Sequence, residues 1–260
     1  MKNLSLILSL FLATSIAWAN PDCGFLPSHK DVVERIEELS SRGNNYQLQS
    51  LEVDLFIGFD IKTVEKGIEE RNETNPFNTS AEETHLGQAK WSGANPSYGW
   101  STSYNYLHSL YEYLDLQPGQ RVVDIGSGHG RPGITLGFLY PESQYVGYEI
   151  VPERVQGAQT IANDYELNNV QFIEQDMSAP DFKIAPADYY YMYDPVNDET
   201  LEFLIERMFE ANGDNQFKII LQPGGGGKYR DILMERFPNH EHINYRNAHA
   251  FIFDSKPKEN

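Results

Sequence analysis

Asp124, Gly126, Gly128, Gly130 and Glu149 are the residues of this 260-residue chain whose types and spacing could do chemistry. The first four lie in "RVVDIGSGHGRPG" (121–133), where an apolar run meets a loop with glycine at 126, 128, 130 and 133. Glycine lets a backbone take left-handed conformations and come close to a ligand. A strict G-x-G-x-x-G is present as Gly128-His129-Gly130-Arg131-Pro132-Gly133, and Glu149 follows 21 residues after Gly128. That is the spacing of a dinucleotide fingerprint, so nicotinamide chemistry is one reading.

Two details favour a different ligand. A dinucleotide loop holds pyrophosphate on bare amides at a helix N-terminus, and a carboxylate just before it repels that anion. Asp124 stands two residues before Gly126, and the glycines begin earlier than the fingerprint requires. A ligand carrying an ammonium and a sulfonium but no phosphate suits an acidic loop better, and S-adenosyl-L-methionine is such a ligand. A non-catalytic binder of adenosyl compounds and an NAD-dependent oxidoreductase remain the alternatives.

"VVDIGSGHGRPG" resembles the first motif of class I S-adenosylmethionine-dependent methyltransferases, through Asp124, Gly126, Ser127, Gly128 and Gly130. The resemblance implies that Glu149, ending "VGYE", accepts from both ribose hydroxyls. It gives Asp176 of "EQDM" the adenine amine, with Met177 beside the ring, and puts Tyr193-Asp194-Pro195 in the catalytic or substrate-positioning loop. The region leading into the core, "SYGWSTSYNYLHSLYEYLDL", is similar to that of Dot1-type lysine methyltransferases. Tyr98 and Gly99 match there, Ser101 stands for a threonine that touches the cofactor, and Trp100 replaces a glutamate. An aromatic channel of Trp100, Tyr98, Tyr104 and Tyr193 would desolvate an amine nucleophile, with Asp194 accepting its hydrogen bond. Catalysis is thus expected from Asp194, Tyr193 and Trp100, and cofactor contacts from Tyr98 and Ser101 besides the motif residues. His129 and Arg131 are read as loop packing, Arg131 with an option on the cofactor's carboxylate.

The elements that must position these groups follow from periodicity. Helical spacing marks 29–42, with Ser28 as N-cap, and 61–72, while "YQLQSLEVDLFIGF" is mixed in register. From residue 102 the pattern becomes regular. A helix up to Pro118-Gly119 is followed by strands 121–125, 144–149, 170–174, 188–193 and 217–221, alternating with helices 132–140, 152–166, 198–212 and 228–236. "EHINYRNAHAFIFDS" then predicts two strands about a turn at Asn247-Ala248. This alternation implies a Rossmann-like α/β fold: a doubly wound, mostly parallel seven-stranded sheet with a C-terminal antiparallel hairpin strand. A small helical segment precedes it.

"MKNLSLILSLFLATSIAWAN" has the order of a secretory signal peptide, cleaved after Ala19. The expected organisation is a signal peptide over 1–19, a helical extension and loop over 20–95, and a methyltransferase domain over 96–260. The product is read as periplasmic or secreted, with no stable membrane insertion, and possibly acting in another cell that supplies the methyl donor. The only cysteine, Cys23, excludes an intramolecular disulfide. Tyr189, Tyr190 and Tyr191 read as sheet core, and Gly224–Gly227 as a flexible connection. His240, His242 and His249 have no clear acid partner, so no metal is expected. The formal charge of −18 argues against nucleic acid and for a basic protein segment, such as lysine, as the unknown methyl acceptor of a monomeric enzyme.

Overall fold

The computed structural model describes residues 26–42, 46–74, 101–193, 196–222 and 228–256. The signal-peptide reading, Cys23, Tyr98, Trp100, Asp194-Pro195 and the glycine run 224–227 lie outside them.

Three helices come first: α1 (His29–Ser41), α2 (Tyr46–Phe56) and α3 (Ile61–Thr74). The α/β body follows, with α4 (Tyr104–Leu114), β1 (Arg121–Ile125), α5 (Arg131–Leu139), β2 (Gln144–Glu149), α6 (Pro152–Asp164), β3 (Val170–Glu174) and β4 (Tyr189–Met192). Its second half is α7 (Asp198–Asn212), β5 (Lys218–Leu221), α8 (Lys228–Arg236), β6 (His240–Tyr245) and β7 (Ala248–Asp254). The sheet has seven strands in the order β3-β2-β1-β4-β5-β7-β6. β1 to β5 pair in parallel, and β7 runs antiparallel between β5 and β6. The strand order reverses between β1 and β4, and a ligand crevice lies beyond the carboxyl ends at such a point.

Both faces of the sheet are covered, so its strands alternate between two cores rather than between core and water. Tyr191 of β4 belongs to the cluster that also holds the apolar faces of α1, α2 and α4. Tyr190 and Met192 belong to the cluster under α7 and α8. Tyr190 is fully buried, and its hydroxyl accepts from Asn212 Nδ2 at 2.7 Å and donates to the Ala185 carbonyl at 2.9 Å.

The first three helices share this core: Val32, Ile36, Leu39, Val53, Ile57 and Phe59 pack in one cluster with Val122, Tyr145 and Ala158. Ser28 caps α1 reciprocally with Asp31. The mixed register of 46–56 resolves as a helix whose Ser50 and Asp54 are buried along with Val53. Polar groups on an inward face blur the apolar period. The final hairpin turns at Arg246-Asn247 instead of Asn247-Ala248, since Ala248 pairs with Tyr245 and Arg246 takes φ 50°. Among the described residues no helix is long and apolar enough to cross a membrane.

Candidate functional site

β1 delivers its chain into the crevice through a loop that only glycine can form. Gly126, Gly128 and Gly130 have φ of 80°, 53° and 77°, a region L side chains enter at a cost of about 1–2 kcal/mol. Gly130 is also constrained by packing, because a Cβ there would lie 2.6 Å from both Ala158 and the Phe172 ring. Among the described residues a Cβ on Gly128 would meet nothing within 4 Å, which leaves space beside it for a ligand.

The loop's amides are largely taken. Gly126 and Ser127 donate to the Tyr148 carbonyl at 3.0 and 2.8 Å, and Gly130 donates to the Ser127 carbonyl at 2.8 Å. The Gly128 amide donates to Glu149 Oε2 at 2.8 Å. Pyrophosphate binding needs free amides at this turn. Four of them already have acceptors, which weighs against the dinucleotide reading.

Glu149 is the most firmly held acid in the crevice. Besides the Gly128 contact, its Oε1 accepts from the amides of Ile150 and Val151, each at 3.0 Å. A carboxylate has about four acceptor positions, so with three amides bound it keeps one for a ligand hydroxyl. Asp124, one strand away, is buried and accepts from the Tyr145 hydroxyl at 2.6 Å. Burial pushes its pKa up to about 7; the Tyr145 hydrogen bond works against this and the Glu149 charge adds to it. Register explains the crowding: Asp124 pairs with Gly147 of β2, where a Cβ would lie 2.7 Å from Ser127 Cβ.

The remaining predicted residues are placed unevenly. Asp176 follows β3, with its Oδ1 accepting from Ser178 N at 2.9 Å and Ser178 Oγ at 2.6 Å. Met177 is buried in the cluster that holds Tyr148. Tyr193 is half-buried beyond β4, packed against the first cluster. Ser101 reaches the glycine loop, where its Oγ lies 3.2 Å from His129 Nδ1. Tyr104, drawn above into an aromatic channel, is instead fully buried, and its hydroxyl donates to Asp54 at 2.9 Å.

Arg131 is not available to a cofactor carboxylate. It is buried in an ion pair with Asp54 of α2, both side chains 1% exposed. His129 Nε2 sits 2.8 Å from Glu65 Oε1 of α3, and Arg154 Nε of α6 donates to the same oxygen at 2.9 Å. Asp54 and Glu65 thus brace the loop from outside the α/β body, and of these five residues sequence reasoning missed three: Asp54, Glu65 and Arg154. The available signal was an acid within an apolar stripe, Val53-Asp54 ahead of Ile57. A separate groove of about 580 Å³, lined by Arg121, Glu142, Gln144, Glu166 and Gln171, opens at the amino ends of β1–β3, away from these groups. Among the described residues no three His, Cys, Asp or Glu side chains gather to hold a metal ion. His242 stacks on Phe251 at 4.6 Å instead.

Residues 116–244 match a family model described as a methyltransferase domain. This segment, just under half of the chain, is similar to methyltransferase domains. A ribosomal RNA small subunit methyltransferase G of Bacteroides thetaiotaomicron is 33% identical over 90 residues, covering 32% of this chain and 44% of that protein. The Flavobacterium johnsoniae protein of the same name is 34% identical over 67 residues, covering 25% and 32%. The chain therefore spans less than half the length of these curated relatives. A solved precorrin-6y C5,15-methyltransferase from Geobacter metallireducens is 16% identical, with a TM-score of 0.48, covering 61% of this chain and 91% of that one.

The relatives correct one expectation. The charge of −18 led to the exclusion of nucleic acid as a partner, yet the matched methyltransferases are named for ribosomal RNA. Net charge sums the whole surface and does not describe the face around one crevice.

Proposed function

We propose that the protein transfers a methyl group from S-adenosylmethionine to a nucleophile presented over the carboxyl ends of β4 and β5. The observation that carries this reading is Glu149, pinned by three backbone amides beside the open space at Gly128. The residues fit the cofactor: Glu149 would accept from a ribose hydroxyl, Asp124 would face the cationic end, and Asp176 with Met177 would take the adenine. S-adenosylmethionine supplies, when bound, a methyl group already activated by its positive sulfur. The chain's own task is then positioning and exclusion of water. Tyr193, Asp194 and Trp100 are assigned to the acceptor side, with Asp194 accepting a hydrogen bond from the nucleophile.

RNA is the first acceptor class, supported by the relatives' names. A cationic protein side chain such as lysine is the second, favoured by the charge of −18. The N-terminal stretch up to Ala19 supports export, with the donor then supplied where the protein acts. Labelled methyl transfer into separated RNA, protein, lipid and small-molecule pools tests the reading. Label in the RNA or protein pool identifies the acceptor class. Label in no pool, with the cofactor bound, leaves a non-catalytic adenosyl binder.

A further inference from the structure

Glu65, His129 and Ser101 form a continuous hydrogen-bonded line from α3 through the glycine loop to the segment that enters α4. Glu65 Oε1 lies 2.8 Å from His129 Nε2, and Ser101 Oγ lies 3.2 Å from His129 Nδ1. Both inner members are buried, at 11% and 3% side-chain exposure. The other groups facing the imidazole are Arg154 from α6, Arg131 from α5 and the Phe59 ring edge at 6.3 Å. Glu65 and Ser101 both lie outside the segment 116–244 that matches the methyltransferase-domain model.

Its chemistry sets a direction. Glu65 faces two donors, and the His129 hydrogen bond and Arg154 outweigh burial to hold its carboxyl down at about 2. An ionised carboxylate accepts only, so His129 Nε2 must carry the hydrogen. Burial, with the Arg154 and Arg131 charges, keeps the imidazole neutral against the pull of Glu65. Its Nδ1 is then a bare acceptor. The Ser101 hydroxyl must donate to it, which leaves the oxygen's lone pairs for a donor in the crevice. We propose that Glu65 and His129 are positioning residues that fix the Ser101 hydroxyl as a hydrogen-bond acceptor for the ammonium group of the methyl donor. With His129 Nδ1 taking its hydrogen, the serine oxygen is held in one orientation instead of rotating among other partners.

This rests on the cofactor reading, and the test separates the two. The full chain is titrated calorimetrically with S-adenosylhomocysteine and with 5′-methylthioadenosine, which lacks the amino-acid tail. Loss of a hydrogen bond to a charged group predicts about ten-fold weaker S-adenosylhomocysteine binding in Ser101→Ala. Binding of 5′-methylthioadenosine should stay unchanged, and Ser101→Thr should restore wild-type behaviour. Glu65→Leu should reproduce the tail-specific loss. Because that variant removes a buried charge and can fail to fold, ¹⁵N NMR of the wild-type His129 ring provides an independent reading, with the Nε2–H tautomer expected. Equal weakening toward both ligands, no weakening, or an Nδ1–H tautomer overturns the proposal. If the wild-type chain binds neither ligand, it is the cofactor reading that fails, and the relay with it.

Discussion

The two halves of the crevice are built on different terms. Beyond β1 and β2, Glu149 is held by three backbone N–H donors, while Arg131 and His129 are held by the buried acids Asp54 and Glu65. Beyond β4 and β5, side chains hold one another. The Tyr191 hydroxyl and Thr102 Oγ1 lie 2.8 Å apart, and both donate to Gln222 Oε1. Backbone amides persist through any substitution, whereas a side-chain trio can be rebuilt by changing one member. The first half therefore suits a fixed ligand, and the second suits an acceptor that differs between related proteins.

Breaking the buried pairs should have the largest effect. Asp54→Ala leaves the buried Arg131 charge without its carboxylate, so denaturant melts should show a loss of about 3–5 kcal/mol. Next comes the carboxylate on the cofactor side. Glu149→Ala should weaken S-adenosylhomocysteine about ten-fold in calorimetry, because a hydrogen bond to a charged group disappears. At the other end, Gln222→Leu should cost only about 1 kcal/mol of stability while cofactor affinity holds. A cofactor loss as large as that of Glu149→Ala would erase the contrast between the halves.

Within the cofactor half, two acids have pH signatures of opposite sign. Glu65 is held down at about 2 from the usual 4.5, so its stabilising contribution is complete above pH 4.5 and is lost as pH falls toward 2. Asp124 is pushed up to about 7 from 3.8. The folded chain then keeps a proton that the unfolded chain has released, so this acid's contribution to stability declines as pH rises from about 4 to about 7. Asp124→Asn should remove that decline in melts across this range. In the wild type, affinity for the cationic cofactor should fall as pH drops below about 7, because protonated Asp124 no longer faces it with a charge. Titrations at pH 6 and pH 8 check this.

What the sequence made legible follows the same division. Strands buried on both faces, such as "VVDI" and "YYYM", stand out by composition, and the acids at their ends stand out by their place beside glycines. Asp124, Glu149 and the loop are where the motif puts them. Asp54 and Glu65 were hidden because their partners lie 77 and 64 residues away, and spacing carries no trace of such pairs. Arg131 read as loop packing with an option on the cofactor's carboxylate, and its type was readable where its partner, Asp54, was not. The turn at 246–247 was missed by one residue, since a left-handed arginine gives no signal of its own.

One measurement bears most directly on the central claim that the carboxyl ends of β1 and β2 hold an adenosyl methyl donor. The full chain and its Glu149→Ala variant are titrated with S-adenosylhomocysteine and with NAD. The account predicts that the wild type binds S-adenosylhomocysteine and prefers it to NAD, and that the variant loses most of that affinity. Preference for NAD, or undiminished binding by Glu149→Ala, would contradict it.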